Sequence, residues 1–155
     1  MSKYWERYIN SSQFDPGTLL KGIRRERAER SLSEFIQQSW PIIGPGTTYI
    51  PNWHIDLICE YLHAVKDGEI KRLVINIPPR HMKSINVTVC FPCWTWTQAP
   101  EKRFIKVSYS DSLSRKHNVL SRDIIQSPWY TENWGDIVKL KDDVNRQNEF
   151  KNTHQ

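Results

Sequence analysis

Leu73-Val74-Ile75-Asn76-Ile77-Pro78-Pro79-Arg80-His81-Met82-Lys83-Ser84 is the stretch on which the reading of this chain turns. Its first five residues form a short β-rich apolar run without strict alternation, the pattern of a strand buried on both faces in a parallel sheet. The run empties into a short loop ending in Lys83-Ser84. From there to about Gln98 an apolar and aromatic stretch reads as a helix, with a kink expected at Pro92. Strand, short loop and helix in this order are the setting in which a phosphate-binding loop works. Backbone N–H groups at the helix N-terminus surround phosphates, a lysine reaches the β- and γ-phosphates, and a serine hydroxyl ligates Mg²⁺. The general pattern G-x-x-x-x-G-K-[ST] is broken here, because Ile77 and Met82 occupy the two glycine positions.

Downstream, Arg103-Phe104-Ile105-Lys106-Val107-Ser108 reads as a second strand. Ser110 or Asp111 caps a helix whose Leu113, Leu120 and Ile124 share a face until Ser127-Pro128 stops it. A right-handed βαβ unit is the default topology for this order. Upstream, a helix is expected from Leu19 to Trp40, with Leu32, Phe35, Ile36 and Trp40 at spacings of three and four. Its cations Lys21, Arg24, Arg25, Arg27 and Arg30 read first as a solvated face balanced by Glu26 and Glu29. Pro41, Gly44, Pro45 and Gly46 break the chain. A further helix runs from Trp53 to Lys66, with Asn52 as N-cap and Leu57, Ile58, Tyr61, Leu62 and Val65 on one face. Residues 1–16 read as a loose arm closed by the turn signal Asp15-Pro16-Gly17.

The 155 residues amount to one domain's worth of chain, with a net charge of +5 and a pI near 9.2. A mean hydropathy of −0.65, with no apolar run near membrane-spanning length, excludes a membrane protein, and the first residues carry no signal-peptide pattern. The mild positive excess permits a nucleic-acid partner without requiring one. An odd count of three cysteines fits a reducing compartment better than a disulfide framework.

The quoted stretch, followed by Phe91-Pro92-Cys93-Trp94, Arg103-Phe104-Ile105, Ser108-Tyr109-Ser110, Ile124 to Tyr130, and Phe150-Lys151-Asn152-Thr153, resembles the ATPase domain of bacteriophage terminase large subunits. In that family the loop is written P-P-R-H-G-K-S, so Met82 departs from its glycine. The resemblance covers roughly residues 35–155. It implies an α/β, P-loop NTPase-type three-layer fold with a parallel sheet, incomplete here and preceded by N-terminal helices. Residues 1–48 would be an arm and helical region, and residues 49–155 the front part of the ATPase domain. It implies ATP and Mg²⁺ as cofactors, held by the loop Pro79, Arg80, His81, Met82, Lys83 and Ser84. Lys83 would bind the triphosphate, Ser84 the Mg²⁺, and Arg80 would stabilise charge near the γ-phosphate. Tyr49, Trp53 and His54 sit where related motors place an adenine-recognition element. Arg115 or Arg122 would act in trans on a neighbouring subunit. Partners would be double-stranded DNA, the portal protein and the terminase small subunit, in a homo-oligomeric ring at the procapsid portal in the host-cell cytoplasm.

The resemblance further implies a Walker B strand beyond Gln155, so the chain reads as truncated before that strand and before the nuclease domain of full-length family members. Within the chain the one candidate is Ile137-Val138-Lys139-Leu140-Lys141-Asp142-Asp143, whose lysines suit a half-exposed strand, with Asp142 and Asp143 read as a turn. Two other classes compete. One is a non-catalytic basic nucleic-acid-binding or adaptor module, resting on the Arg-rich helix. The other is a thiol oxidoreductase at Cys90-Phe91-Pro92-Cys93, against which stands the position of that pair two turns into a helix, away from the dipole that lowers a thiol's pKa.

Overall fold

The computed structural model describes residues 15–145 and 149–154, the side chains of 142–145 excepted; most of the expected N-terminal arm lies outside these. Helix α1 spans Pro16–Arg30. Asp15 caps it, its carboxylate accepting from the N–H groups of Gly17 and Thr18 at 3.0 Å each, and Pro16 fills the first turn, where no N–H is needed. Arg30 pairs with Glu26 and Arg27 with Glu34 with their guanidinium groups in solvent, whereas Arg25 and Glu29 pair half-buried, so the expected solvated face covers only part of these cations. The expected single helix from Leu19 to Trp40 is two. Ser31 leaves helical geometry at φ −134° and its hydroxyl accepts from Glu34 N–H at 3.3 Å, opening α2 at Leu32–Ile43. Ser31-Leu32-Ser33-Glu34 is a capping-box pattern, a signal present in the sequence.

Helix α3, Trp53–Lys66, has the expected bounds but a rotated face: Ile55, Ile58, Cys59 and Leu62 are buried, while Leu57 and Tyr61 are exposed. Lys83 and Ser84 begin a helical run that passes through a π-helical turn, Ile85–Cys90, into α4, Phe91–Trp96. Pro92 accounts for the widening. Its ring has no N–H for the carbonyl of Thr88 and crowds it, and Phe91 N–H reaches back five residues to Asn86 O. Helix α5 spans Asp111–Gln126. Ser127-Pro128 both stops it and starts α6, Pro128–Trp134, with the Ser127 hydroxyl accepting from Tyr130 N–H at 3.2 Å. Strands β1, Leu140–Asn145, and β2, Phe150–Asn152, form an irregular antiparallel pair. Asp142 and Asp143 therefore lie in a strand and not in a turn.

The fold is mostly helical, and this corrects the expected α/β three-layer architecture. Among the described residues the only sheet is the two-stranded antiparallel one, and there is no parallel sheet. Residues 72–78 and 102–108 are extended, yet neither forms a ladder, so no βαβ sheet closes around α4. The expectation of a strand buried on both faces also fails. Leu73, Ile75 and Ile77 pack on the core while Val74 is 85% exposed.

Aromatic side chains joined to backbone carbonyls hold the core. Trp94, fully buried, donates its indole N–H to Ala28 O at 3.0 Å and Glu29 O at 3.1 Å, tying α4 to α1, and the edge of His63 packs on it at 4.3 Å between centroids. Tyr130 O–H donates to Cys93 O at 2.9 Å and Trp134 indole N–H to Glu29 Oε1 at 2.8 Å. Each indole or phenol thus buries a large apolar body with its one polar group satisfied. Phe35 packs against the rings of Trp129, Tyr130 and Trp134 with centroids 5.2 to 6.2 Å apart. Among the described residues no helix is long and apolar enough to cross a membrane.

Candidate functional site

The loop between the extended segment 72–78 and the helical run at Lys83 has a definite backbone form. Arg80 and Met82 stand at φ 68° and 61°, and His81 between them is not left-handed. These are the only non-glycine residues with positive φ among those described. A side chain held there costs about 1–2 kcal/mol relative to ordinary backbone, so two in three residues mark a loop fixed by its surroundings. A left-handed residue beside a right-handed one is the form that turns successive N–H groups toward one concavity, an anion-binding nest, and Arg80 and Met82 supply left-handed positions for it.

Helix formation begins immediately after. Asn86 N–H donates to Met82 O at 2.9 Å, leaving the N–H groups of Lys83, Ser84 and Ile85 without carbonyl partners at the positive end of the helix dipole. The Ser84 hydroxyl makes no capping bond. Lys83 and Arg80 are exposed, and neither belongs to any ion pair among the described residues. Two uncommitted cations, a hydroxyl and free N–H groups are a fitting set for a phosphate chain. A Mg²⁺ ion, which keeps several waters and takes one or two protein oxygens besides the phosphates, fits at the Ser84 hydroxyl.

His81 is pinned beside the loop. Its Nδ1 lies 2.9 Å from Pro79 O, and since a carbonyl only accepts, Nδ1 carries a proton and donates it. The ring of His54 meets that of His81 at 5.8 Å, and Trp53 packs edge-on against His54 at 6.0 Å. The start of α3 is therefore docked against the loop. Trp53 is 74% exposed, with a face open for stacking. Tyr49 is used differently. Its ring packs on Trp40 at 5.4 Å, and burial raises its phenol pKa, so it belongs to the α2–α3 junction. Arg115 is paired with Asp111 at 2.6 Å on its own helix.

A cavity of about 530 Å³ lies elsewhere, between residues 103–106, α4, α5 and β2, and includes none of the loop residues. Lys106 is turned toward it, with Nζ 2.7 Å from Ser121 Oγ and over the Phe150 ring at 5.8 Å. Burial lowers the Lys106 pKa.

The cysteines carry no redox site. Cys59, Cys90 and Cys93 are buried and unbonded to one another, and burial pushes Cys93 up to about 11, Cys59 to about 12 and Cys90 well above its ordinary value. A reactive thiol needs the opposite shift. Among the described residues no group of three or more His, Cys, Asp or Glu is placed to hold a metal ion. Comparison with protein families, curated proteins and solved structures finds no match to this chain.

Proposed function

We propose that this chain is the ATP-binding part of a bacteriophage terminase large subunit, binding Mg-ATP as part of the motor that packages viral DNA. One observation carries the reading: the Arg80–Met82 loop, with left-handed backbone at Arg80 and at Met82, opens into a helix that begins at Lys83. A nest, a helix N-terminus and a lysine at one place are the physical needs of a triphosphate. Lys83 takes the β- and γ-phosphates, Ser84 the Mg²⁺, and Arg80 the charge on the transferring phosphoryl group. Trp53 supplies a base-stacking face beside the loop. DNA, portal and small-subunit contacts belong to the same proposal through the family resemblance.

The chain alone hydrolyses ATP very poorly. Phosphoryl transfer to water needs a carboxylate that holds Mg²⁺ through water and a group that orients the attacking water. The Asp142-Asp143 pair instead sits in an antiparallel hairpin strand. The test is displacement of a fluorescent ATP analogue by Mg-ATP, alongside phosphate release by the same sample. Saturable binding with near-background release is expected. Robust turnover abolished by Lys83→Ala would overturn the hydrolysis statement. Salt-sensitive DNA binding with no analogue binding would favour a basic adaptor module instead.

A further inference from the structure

We infer that residues 103–109 form a docking edge for an extended polypeptide strand from a partner, one with apolar residues at alternate positions and carboxylates at its C-terminal end. The side chains alternate with period two. Phe104 and Lys106 turn inward, Phe104 onto Phe91 at 5.9 Å, while Ile105, Val107 and Tyr109 are 93%, 90% and 96% exposed. That is the pleat of a strand with one face packed and the other bare. Among the described residues no backbone N–H or C=O of 103–109 bonds to another backbone group; the side-chain bonds there are Lys106 Nζ to Ser121 Oγ on the packed face and Ser110 N–H to Ser108 Oγ at the end of the segment. Residues 72–78 repeat the arrangement, with Val74 outward and no backbone pairing.

The missing partner must satisfy backbone groups and apolar side chains together. A lipid surface or an apolar small molecule covers side chains and leaves N–H and C=O groups unpaired, at a cost. An added strand meets both needs. Charge completes the description. Arg103 and Lys71-Arg72 place exposed cations at the N-terminal ends of the two segments. Antiparallel pairing, the more stable arrangement per residue, brings the C-terminal end of the incoming strand there, and carboxylates suit it. A second copy paired antiparallel would set the C-terminal ends of its own segments against these cations, Pro78-Pro79-Arg80 or Ser108–Asp111, and the one carboxylate there, Asp111, is already paired with Arg115.

The probe is a fluorescein-labelled peptide of alternating valine and threonine ending in two aspartates, followed by fluorescence anisotropy. Saturable binding is expected. It should weaken about tenfold or more when the aspartates are replaced by lysines or moved to the N-terminus, a difference of one factor of ten in Kd. Ile105→Asp and Val107→Pro should each abolish it while leaving the far-ultraviolet circular dichroism unchanged, since both side chains stand in solvent. Absence of binding, equal binding of the lysine-ended peptide, or binding unchanged in both variants would overturn the proposal. So would concentration-dependent self-association in sedimentation that both variants remove, which would assign the edge to a second copy.

Discussion

The imidazoles of His54 and His81 meet with centroids 5.8 Å apart at an interplanar angle of 63°, joining the first turn of α3 to the loop Pro79–Ser84. Residues 27 positions apart in sequence thereby form one surface, with Trp53 on its outer side. If that surface holds a nucleotide, the base and the phosphates contact different elements and can be tested apart. Trp53→Ala is expected to weaken ATP binding by roughly 1–3 kcal/mol, the worth of one aromatic–base stack, while inorganic triphosphate binds as before. Tyr49→Phe should leave both unchanged, because the Tyr49 ring is engaged with Trp40. Calorimetric titration of each variant with the two ligands decides.

Met82 holds φ 61° without being glycine. Met82→Gly removes the steric penalty at the cost of the partial packing of the methionine against the core. Met82→Val places a β-branched residue where left-handed backbone is hardest to hold. The glycine variant should bind ATP as tightly as the parent or more tightly, and the valine variant about tenfold more weakly, since about 1–2 kcal/mol of strain acts against the loop's form. Equal affinities in the two would separate the backbone form from binding.

His63 accepts a hydrogen bond at Nε2 from Leu32 N–H at 3.2 Å and lies on Trp94, so the fold uses the neutral ring. Burial first, then the Lys66 charge, lowers its pKa below the ordinary 6.5. Between the folded and unfolded values the unfolded chain binds more protons, so stability rises with pH there. The contribution is fully present above about pH 6.5 and is lost as pH falls toward the lowered folded value. Thermal melts from pH 7.5 to 5 should show a falling Tm, with a shallower slope in His63→Gln. His117, also lowered by burial, supplies part of the remainder. A slope unchanged by the substitution would contradict this use of His63.

With Cys93 near 11, about one of its thiols in ten thousand is ionised at pH 7, and burial raises Cys90 well above its ordinary value too. Iodoacetamide should label Cys59, Cys90 and Cys93 only when the protein is unfolded by denaturant, as read by mass spectrometry of the intact chain. Rapid labelling of one native thiol would restore the redox reading.

Local elements were legible in the sequence, and their assembly was not. The bounds of α3, the helix from Asp111 and the end of α5 at Gln126 follow from periodicity and the Ser127-Pro128 stop, which are properties of neighbouring residues, although neither Asn52 nor Ser110 makes a side-chain capping bond. The break at Ser31 was also written locally, in the Ser31–Glu34 box, and the start of α6 in Ser127-Pro128. A parallel sheet, by contrast, depends on strands finding one another across long separations. Residues 73–77 and 103–108 have the composition and extension of strands but no ladder, a fact about distant partners that neither segment encodes. At the site, the Lys83-Ser84 pair and the short loop were readable. The handedness of Arg80 and Met82 was hidden, because neither residue type announces positive φ.

Phosphate binding at the loop is measured by isothermal titration of the purified chain with Mg-ATP, beside Lys83→Ala. Saturable binding by the parent is expected, with a loss of roughly 1.5–3 kcal/mol in the variant, the worth of hydrogen bonds to a charged group. No binding by the parent, or equal affinity in Lys83→Ala with its fold intact, would contradict it.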